Sequence, residues 1–339
     1  MHRYLATLTV FFIATCAPCP WALSISPPPS KVVVTGASGK TGRLVFEALQ
    51  NNSEFEPLAL VRSEKSAKAL RKLVPETGLE QVVICDVTSS TSQAETEAAL
   101  EGCEAMIICT SAMPVISKWS LIKNFLKIPI NLLRPKKKAF DFRALKFVWK
   151  AGQYPEKVDY EGQKAQIDLA KRLGMKHVVI VGSMGGTDPS NFLNTIGKNK
   201  DGSGNGDILL WKRKAEVYLT ESGLDYTIIH PGGLKDTPAG EAEYILDVDD
   251  ILLNNTQRSI SRADVANLCV AALSVGKGQK VALDAITKPL EEGQEAPSKT
   301  AEEALEAFLQ QNKTYHYWEP GSLLRKWFDV SLTNQMINR

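Results

Sequence analysis

A β-branched apolar run that leads into three evenly spaced glycines constrains this chain more than any other feature. The three valines at 32–34 are too few and too β-branched for a helix, and they predict a buried parallel strand. Gly36, Gly39 and Gly42 follow. Their spacing supplies a tight turn, close approach of the backbone to a pyrophosphate and close packing of the next helix. An ordinary tight turn also uses glycine, but the strand before the loop and the helix after it favour dinucleotide binding, with the helix N–H groups directed at the anion.

Apolar runs of strand length alternate with segments of helical periodicity along most of the chain. The strands are predicted at 32–34, 57–61, 81–85, 105–109, 177–181 and 225–230, and the helices between them at 40–50, 65–73, 91–100, 158–173 and 207–222. This alternation predicts an α/β fold built on a doubly wound parallel sheet. Its ligand is expected outside the carboxyl ends of the strands.

Charged residues after the second and third predicted strands are placed to meet the adenosine half of a dinucleotide. Arg62 lies 20 positions after Gly42. An NAD-binding domain carries an acid there for the ribose hydroxyl, whereas an arginine suits the 2′-phosphate of NADP. The position therefore favours NADP(H), with an exposed arginine at a strand end as the simpler alternative. Asp86 and Val87 are placed to meet the adenine, although Asp86 is equally suited to cap the next helix.

The first 26 residues differ in character from the rest. Two basic or titratable residues, His2 and Arg3, precede an apolar run at 5–17, and small residues at 22–24 offer a cleavage site. Residues 1–26 therefore predict a signal or targeting peptide, with a retained membrane anchor as the alternative.

The cysteines of the body, Cys85, Cys103, Cys109 and Cys269, do not form the pattern of a disulfide framework. Cys85 and Cys109 fall in apolar runs, which favours free thiols in a reducing compartment. A leader followed by free thiols predicts a plastid that is reached through a signal peptide, as in algae with secondary plastids. The endomembrane lumen and secretion are the alternatives.

Residues 113–155 interrupt the alternation with a basic, aromatic insertion. Ten lysines and arginines stand between 117 and 150 among six tryptophans and phenylalanines. This composition suits a solvated loop with two short helices, a lid over the ligand, or a peripheral contact with a membrane or protein through 117–150. The chain as a whole carries a formal net charge of +2 and four scattered histidines, so neither a nucleic-acid partner nor a metal site is predicted.

Five motifs, taken in order, resemble the atypical short-chain dehydrogenase/reductases of plants, algae and cyanobacteria, the NAD(P)H-binding, NmrA-like group. They are TGASGKTGR at 35–43, GQYPEKVDYEGQ at 152–163, VGSMGG at 181–186, WKRKAE at 211–216 and TIIHPGGL at 227–234. The resemblance implies a Rossmann-like domain at 31–290, in which 231–290 form a small C-terminal substrate lobe. An extension at 291–339 follows it.

The resemblance also implies which residues hold NADP(H). The pyrophosphate would be held by Gly36, Ala37, Ser38, Gly39, Lys40, Thr41 and Gly42, the 2′-phosphate by Arg62, and the adenine by Asp86 and Val87. Thr110 and Ser111 would line the ribose, and Pro231, Gly232 and Gly233 would face the nicotinamide.

The catalytic set of this family is only partly present. Ser183 matches its serine and Lys214 its lysine, which would also bind the cofactor. Leu210 stands where the Tyr-x-x-x-Lys element has its tyrosine. A literal Tyr-x-x-x-Lys, Tyr160 to Lys164, precedes the fifth strand instead of following it, so packing of Tyr160 on the sheet is the simpler interpretation.

These residues predict an NADPH-binding oxidoreductase that transfers hydride to a small carbonyl, quinone or enone. Ser183 would polarise the acceptor, Lys214 would hold the cofactor, and water or a lid residue such as Tyr154 would deliver the proton. The missing tyrosine and the basic insertion favour an alternative, a weakly catalytic or non-catalytic NADPH-binding, redox-sensing scaffold or assembly factor at a plastid membrane.

Overall fold

A mostly parallel sheet forms the centre of the protein. The computed structural model describes residues 28–86, 93–126, 128, 146–199 and 201–317. Within this part the strands are β1 Ser30–Thr35, β2 Phe55–Val61, β3 Val82–Ile84, β4 Ala105–Ile108, β5 Val115–Ile116, β6 Phe147–Val148, β7 His177–Val181, β8 Asp225–Pro231, β9 Gly233–Lys235, β10 Ala242–Asp247, β11 Ser259–Ser261 and β12 Lys280–Pro289. The order β3-β2-β1-β4-β7-β8 runs parallel throughout. It is the doubly wound order, so the predicted fold class is confirmed.

The helices of the described chain pack in two groups. They are α1 Lys40–Gln50, α2 Glu64–Leu73, α3 Gln93–Ala99, α4 Lys118–Leu126, a π-helix at Glu156–Gly162, α5 Gln163–Arg172, α6 Ile208–Thr220, α7 Arg262–Ser274 and α8 Ala301–Leu309. Helix α1 packs against α7, which also contacts β7 and β8. Helices α5 and α6 pack against each other and against the π-helix.

The C-terminal half extends the same sheet. Strand β12 pairs in parallel with β8, and β10 and β11 then pair with β12 in antiparallel fashion. Residues 231–290, predicted as a small lobe, thus contribute strands that continue from β8. Beyond them, α8 packs on α7 and β10.

The predicted apolar runs form the buried core. The valines of β1 and the central residues of β7, Val178–Ile180, have no exposed surface. Both strands lie between two hydrogen-bonded neighbours and have helices over them, which explains why their sequences are continuously apolar instead of alternating. Removal of these side chains from water supplies the main driving force for this fold.

A group of charged side chains is buried beside this core. Glu216 on α6 accepts hydrogen bonds from Arg213, one turn earlier, at 2.6 Å and from Nε2 of His230 on β8 at 3.1 Å, and Nδ1 of His230 lies 3.2 Å from Asp284 on β12. Burial alone would raise the pKa of Glu216, but Arg213 and His230 hold it at about 2. Burial and Arg213 disfavour protonation of His230, yet the two carboxylates outweigh them and raise its pKa.

Several elements differ from the sequence-based predictions. The helix predicted at 158–173 begins as a π-helix and becomes α-helical only at Gln163. The insertion contains α4, in keeping with the short helices of the solvated-loop prediction, and also the β5–β6 hairpin, which was not predicted. The targeting peptide at 1–26, Val87 and most of the insertion between 127 and 145 lie outside the described residues. No helix among the described residues has the length and apolarity that a membrane span requires.

Candidate dinucleotide and acceptor site

A cavity of about 800 Å³ lies at the carboxyl ends of β1, β2, β4 and β7, where a doubly wound sheet binds its ligand. Ten of the predicted site residues line it: Gly36, Ser38, Gly39, Lys40, Thr41, Arg62, Asp86, Thr110, Ser111 and Ser183. Ala37 and Gly42 belong to the same loop without lining the cavity. The structure therefore brings together in one cavity the residues assigned to phosphate, adenine, ribose and acceptor.

The glycine loop has the shape that a pyrophosphate needs. Gly36 adopts a φ of +66°, and a Cβ on Gly42 would lie 2.4 Å from the carbonyl oxygen of Gly36. Helix α1 can therefore start directly behind the turn only with glycine at 42. The N-cap residue of this helix is Gly39, which has no side chain that could cap the free N–H groups of the first turn. The N-terminus of α1 thus fits an anionic group bound in the cavity.

Two basic side chains stand beside this helix N-terminus. Asp236 accepts hydrogen bonds from Lys40 at 2.7 Å and from Arg262 at 2.5 Å, and both basic residues line the cavity. Arg262 opens α7, far along the chain from the glycine loop, and the sequence analysis missed it. In the sequence it is recognisable only as a basic residue at the start of a segment with helical periodicity.

Arg62 follows β2 and lines the outer part of the cavity together with Ser66. It is exposed, and it forms no ion pair with any described residue. A guanidinium and a hydroxyl at this position suit a phosphate on the adenosine ribose. The residues thus fit NADP better than NAD.

A buried ion pair stands at the inner end of the cavity. Nζ of Lys212 on α6 lies 2.8 Å from Oδ1 of Asp159 on the π-helix, and these side chains are 7% and 0% exposed. Oδ2 of Asp159 accepts a 3.0 Å hydrogen bond from the backbone N–H of Ala112. The π-helix, a type of distortion frequent at functional sites, therefore carries the carboxylate that positions a lysine in the cavity.

This arrangement corrects the sequence-based choice of Lys214. Nζ of Lys214 lies over the ring of Trp211 at 4.5 Å and that of Tyr160 at 6.0 Å, and the residue does not line the cavity. A step of two residues turns a side chain to another side of a helix. The lysine that lines the cavity is Lys212, and Ile208 stands four residues before it. Because Leu210 stands four residues before Lys214, neither lysine belongs to a Tyr-x-x-x-Lys element.

Thr110 is held by two buried glutamines of α5, one at its side chain and one at its backbone. Nε2 of Gln166 donates to Oγ1 of Thr110 at 3.1 Å, and Nε2 of Gln163 donates to its carbonyl oxygen at 3.0 Å. Because Oγ1 accepts from Gln166, the hydroxyl hydrogen can point to a ligand. The sequence analysis assigned a role to neither glutamine, although Gln163 is the last residue of the motif at 152–163 and Gln166 follows three positions later.

Buried charged side chains of α6 and of the segment after β10 hold the loop that follows β7. Arg213 donates a 3.2 Å hydrogen bond to the carbonyl oxygen of Ser183. Asp250 accepts from the backbone N–H groups of Gly185 and Thr187 at 2.7 and 2.8 Å. A Cβ on Gly186 would lie 2.2 Å from the Arg213 guanidinium. The backbone that carries Ser183 therefore has little freedom to move.

Two further sets of candidate residues lie outside the cavity lining. Pro231, Gly232 and Gly233 do not line the cavity, whereas the next residue of the same segment, Leu234, does. Tyr154 does not line it either.

The literal Tyr-x-x-x-Lys element also lies elsewhere. Tyr160 packs on Trp211, with ring centroids 5.8 Å apart, and Nζ of Lys164 lies 4.8 Å from the ring of Tyr218. Among the described residues, no tyrosine lines the cavity. This pair therefore has a packing role.

Cys109 lines the cavity at the end of β4, but its thiol is a poor nucleophile. Burial raises its pKa to about 12, although nearby Lys212 acts in the opposite direction. The thiol therefore remains protonated near neutral pH. Within the described ranges, no cluster of three or more His, Cys, Asp or Glu side chains is placed to hold a metal ion.

A sequence profile of NAD(P)H-binding proteins matches residues 36–275. The chain belongs to this NAD(P)H-binding family. The match starts at Gly36 of the loop and ends just after α7, so it includes every cavity-lining residue except Thr35. It confirms the family resemblance and the class of cofactor that the motifs predicted.

Two relatives extend the comparison over most of this NAD(P)H-binding chain. Sanguinarine reductase of Eschscholzia californica is 42% identical over 262 residues, which are 76% of this chain and 89% of the relative. An uncharacterised chloroplastic protein of Arabidopsis thaliana is 42% identical over 272 residues, 80% of this chain and 73% of the relative. Among solved structures, an oxidoreductase from Lactococcus lactis has a TM-score of 0.52 at 18% identity, covering 84% of this chain and 100% of its own, which is a likeness of fold.

The assignment of Lys212 leads to a direct prediction. Lys212→Met should weaken NADPH binding by roughly 10- to 100-fold, because a charged hydrogen-bond donor is lost from the cavity. Lys214→Met, two residues away on the same helix, should leave the affinity nearly unchanged. Titrations followed by nicotinamide fluorescence measure both, and thermal melts verify that each variant is folded. Equal losses, or a larger loss in Lys214→Met, would contradict the assignment.

Proposed function

We propose that this protein is an NADPH-dependent reductase of a small acceptor of the carbonyl, quinone or enone type. The observation that carries the proposal is the joint placement of Lys212, Ser183 and the glycine loop in one cavity. A loop that binds phosphate accounts for binding alone, whereas a buried lysine and a held serine at the inner end provide groups beside the reacting atoms. The 42% identity to sanguinarine reductase supports reduction as the reaction type.

Each part of the cavity has a role in this proposal. The N-terminus of α1 binds the pyrophosphate, Arg62 binds the 2′-phosphate, and Lys212, held by Asp159, binds the nicotinamide ribose and orients the ring. The reduced dinucleotide supplies the hydride when it is bound. Ser183 donates a hydrogen bond to the acceptor oxygen, where negative charge develops.

Proton delivery differs from the usual tyrosine mechanism of the resembled enzymes. Since no described tyrosine lines the cavity, the proton reaches the acceptor oxygen from water or through the Ser183 hydroxyl. The hydroxyl now donates a 3.2 Å hydrogen bond to the carbonyl oxygen of Met184, and a rotation about its Cα–Cβ bond turns it to an acceptor. Acceptors whose reduced form is a weak base, such as quinones, suit this arrangement best because they demand least from a proton donor.

The test is NADPH oxidation with a panel of quinones, enones, aldehydes, flavins and sanguinarine. The wild-type protein should reduce at least one of them, and Ser183→Ala should lower kcat for it by roughly 100-fold, as loss of an oxyanion donor does. Ser53→Ala, an exposed serine outside the cavity, is the matched control and should keep full activity. Absence of oxidation with every acceptor would contradict the proposal.

The cofactor preference gives a second prediction. Arg62→Asp should lower the ratio of NADPH to NADH affinity by roughly 10- to 100-fold, because it removes the positive charge beside the 2′-phosphate and adds a repelling one. Lys68→Asp, an exposed lysine on α2 that does not line the cavity, makes the same charge change and should leave the ratio unchanged. An unaltered ratio in Arg62→Asp would remove this residue from the phosphate site.

A second candidate function is an NADPH-binding scaffold at a plastid membrane. The lack of a tyrosine among the described cavity residues and the basic, aromatic segment beside the cavity favour it. Tight NADPH binding without turnover of any acceptor in the panel would select this candidate over the reductase.

For the location we propose a plastid that is reached through a signal peptide. The relative from Arabidopsis thaliana is named as chloroplastic, and Cys85, Cys103, Cys109 and Cys269 are free thiols, as in a reducing compartment. A fluorescent fusion of residues 1–30, expressed in an alga with secondary plastids, should enter the plastid. Its secretion into the medium would contradict the proposal.

A further inference from the structure

Helix α4 exposes its apolar side and buries a polar one. Trp119, Ile122 and Leu126 follow one another at helical spacing and are 72%, 48% and 70% exposed. Asn124 of the same helix is 3% exposed. A helix that served only to cover the protein would show the reverse arrangement.

The exposed apolar side chains of the described chain concentrate in this region. Thirteen large apolar side chains are exposed among the described residues, and eight of them lie between 113 and 148. On the hairpin beside α4 these are Ile116 of β5 and Phe147 and Val148 of β6. We call the exposed side chains of Trp119, Ile122 and Leu126 on α4, and of the cross-strand neighbours Ile116 and Phe147 on the hairpin, the α4–hairpin face. Val148, the next residue of β6, points to the other side of the hairpin.

The α4–hairpin face is a prebuilt unit. Strands β5 and β6 pair through Val115 with Val148 and Ile116 with Phe147. Oγ of Ser120, in the first turn of α4, accepts a 3.1 Å hydrogen bond from the backbone N–H of Lys146. The helix and the hairpin are thus joined by hydrogen bonds.

Positive charge surrounds this face. Lys118, Lys123 and Lys146 are exposed on α4 and next to β6. Among the described residues between 113 and 150 the charged side chains are Lys118, Lys123, Lys146 and Lys150, all exposed, and none of the described residues there is acidic, whereas the whole chain has a formal net charge of only +2. Exposed aromatic and aliphatic side chains within a basic surround are what binding at an anionic lipid surface requires. A second copy of the chain would bring the same positive charge and be repelled.

We propose that the α4–hairpin face docks on the surface of an anionic lipid bilayer, with α4 lying in the headgroup region. Met113 and Lys150, at the two ends of this segment, line the cavity. Docking therefore places the cavity opening next to the lipid. This inference concerns a surface outside the dinucleotide site and stands independently of the reductase reaction.

Flotation with phosphatidylcholine vesicles, with and without phosphatidylglycerol, tests the proposal on the purified full chain. Binding that depends on phosphatidylglycerol and falls with added salt is expected. The double variant Trp119→Ser/Leu126→Ser should lower it by roughly tenfold or more, and so should Lys118→Glu/Lys123→Glu.

Matched controls carry the same changes elsewhere on the surface. Phe192→Ser/Ile251→Ser removes two exposed apolar side chains outside the α4–hairpin face, and Lys68→Glu/Lys171→Glu reverses two exposed lysines of other helices. Both controls should bind vesicles as the wild-type chain does. Every variant should retain NADPH affinity, which shows that it is folded.

Three results would overturn the proposal. The first is absence of any phosphatidylglycerol-dependent binding, and the second is binding that the face variants leave unchanged. The third is a dimer, seen by light scattering, that Trp119→Ser/Leu126→Ser dissociates while vesicles are not bound. That result would assign the face to a second copy of the chain.

Discussion

A buried group of charged side chains joins α6, β8 and β12 and fixes the position of the loop that carries Ser183 at the acceptor end of the cavity. Arg213, Glu216, His230 and Asp284 pair with one another out of contact with water. Removal of one partner of such a group typically costs about 3–5 kcal/mol, because it leaves a buried charge without compensation. The consecutive elements α6 and β8 are thereby held to β12, which lies about 50 residues further along the chain.

The loop that carries Ser183 depends on this arrangement. Arg213 binds its carbonyl oxygen, and Asp250 binds the loop two and four residues further on while its own N–H donates to Asp284 at 2.6 Å. Tyr315, close to the C-terminal limit of the described chain, accepts a hydrogen bond from Arg213 at 2.9 Å. The segment after α8 therefore helps to position a residue at the inner end of the cavity, which gives part of the C-terminal extension a structural role.

The dinucleotide half of the site was predictable from the sequence because its determinants are local. One strand, one turn and one helix start suffice to place Gly36 and Gly39, and the end of the next strand, 20 positions after Gly42, places Arg62. The acceptor half was less predictable. Lys212 and Lys214 differ by two positions, and only the packing of α6 decides which of them faces the cavity. Asp159 was not predicted as a site residue, because a π-helix shifts the helical periodicity on which the sequence-based prediction depends.

The two halves of the site also differ in what they establish about function. Membership of the NAD(P)H-binding family and the fit of the glycine loop make binding of the dinucleotide secure. Reduction depends on what lies beside Lys212 and Ser183 once the cofactor is bound. A crystal structure of the NADP⁺ complex measures this directly. The account predicts the 2′-phosphate at Arg62, the pyrophosphate at the N-terminus of α1, and the nicotinamide ring between Lys212 and Ser183 with open space on the serine side. A nicotinamide turned away from Lys212, or a 2′-phosphate without contact to Arg62, would contradict it.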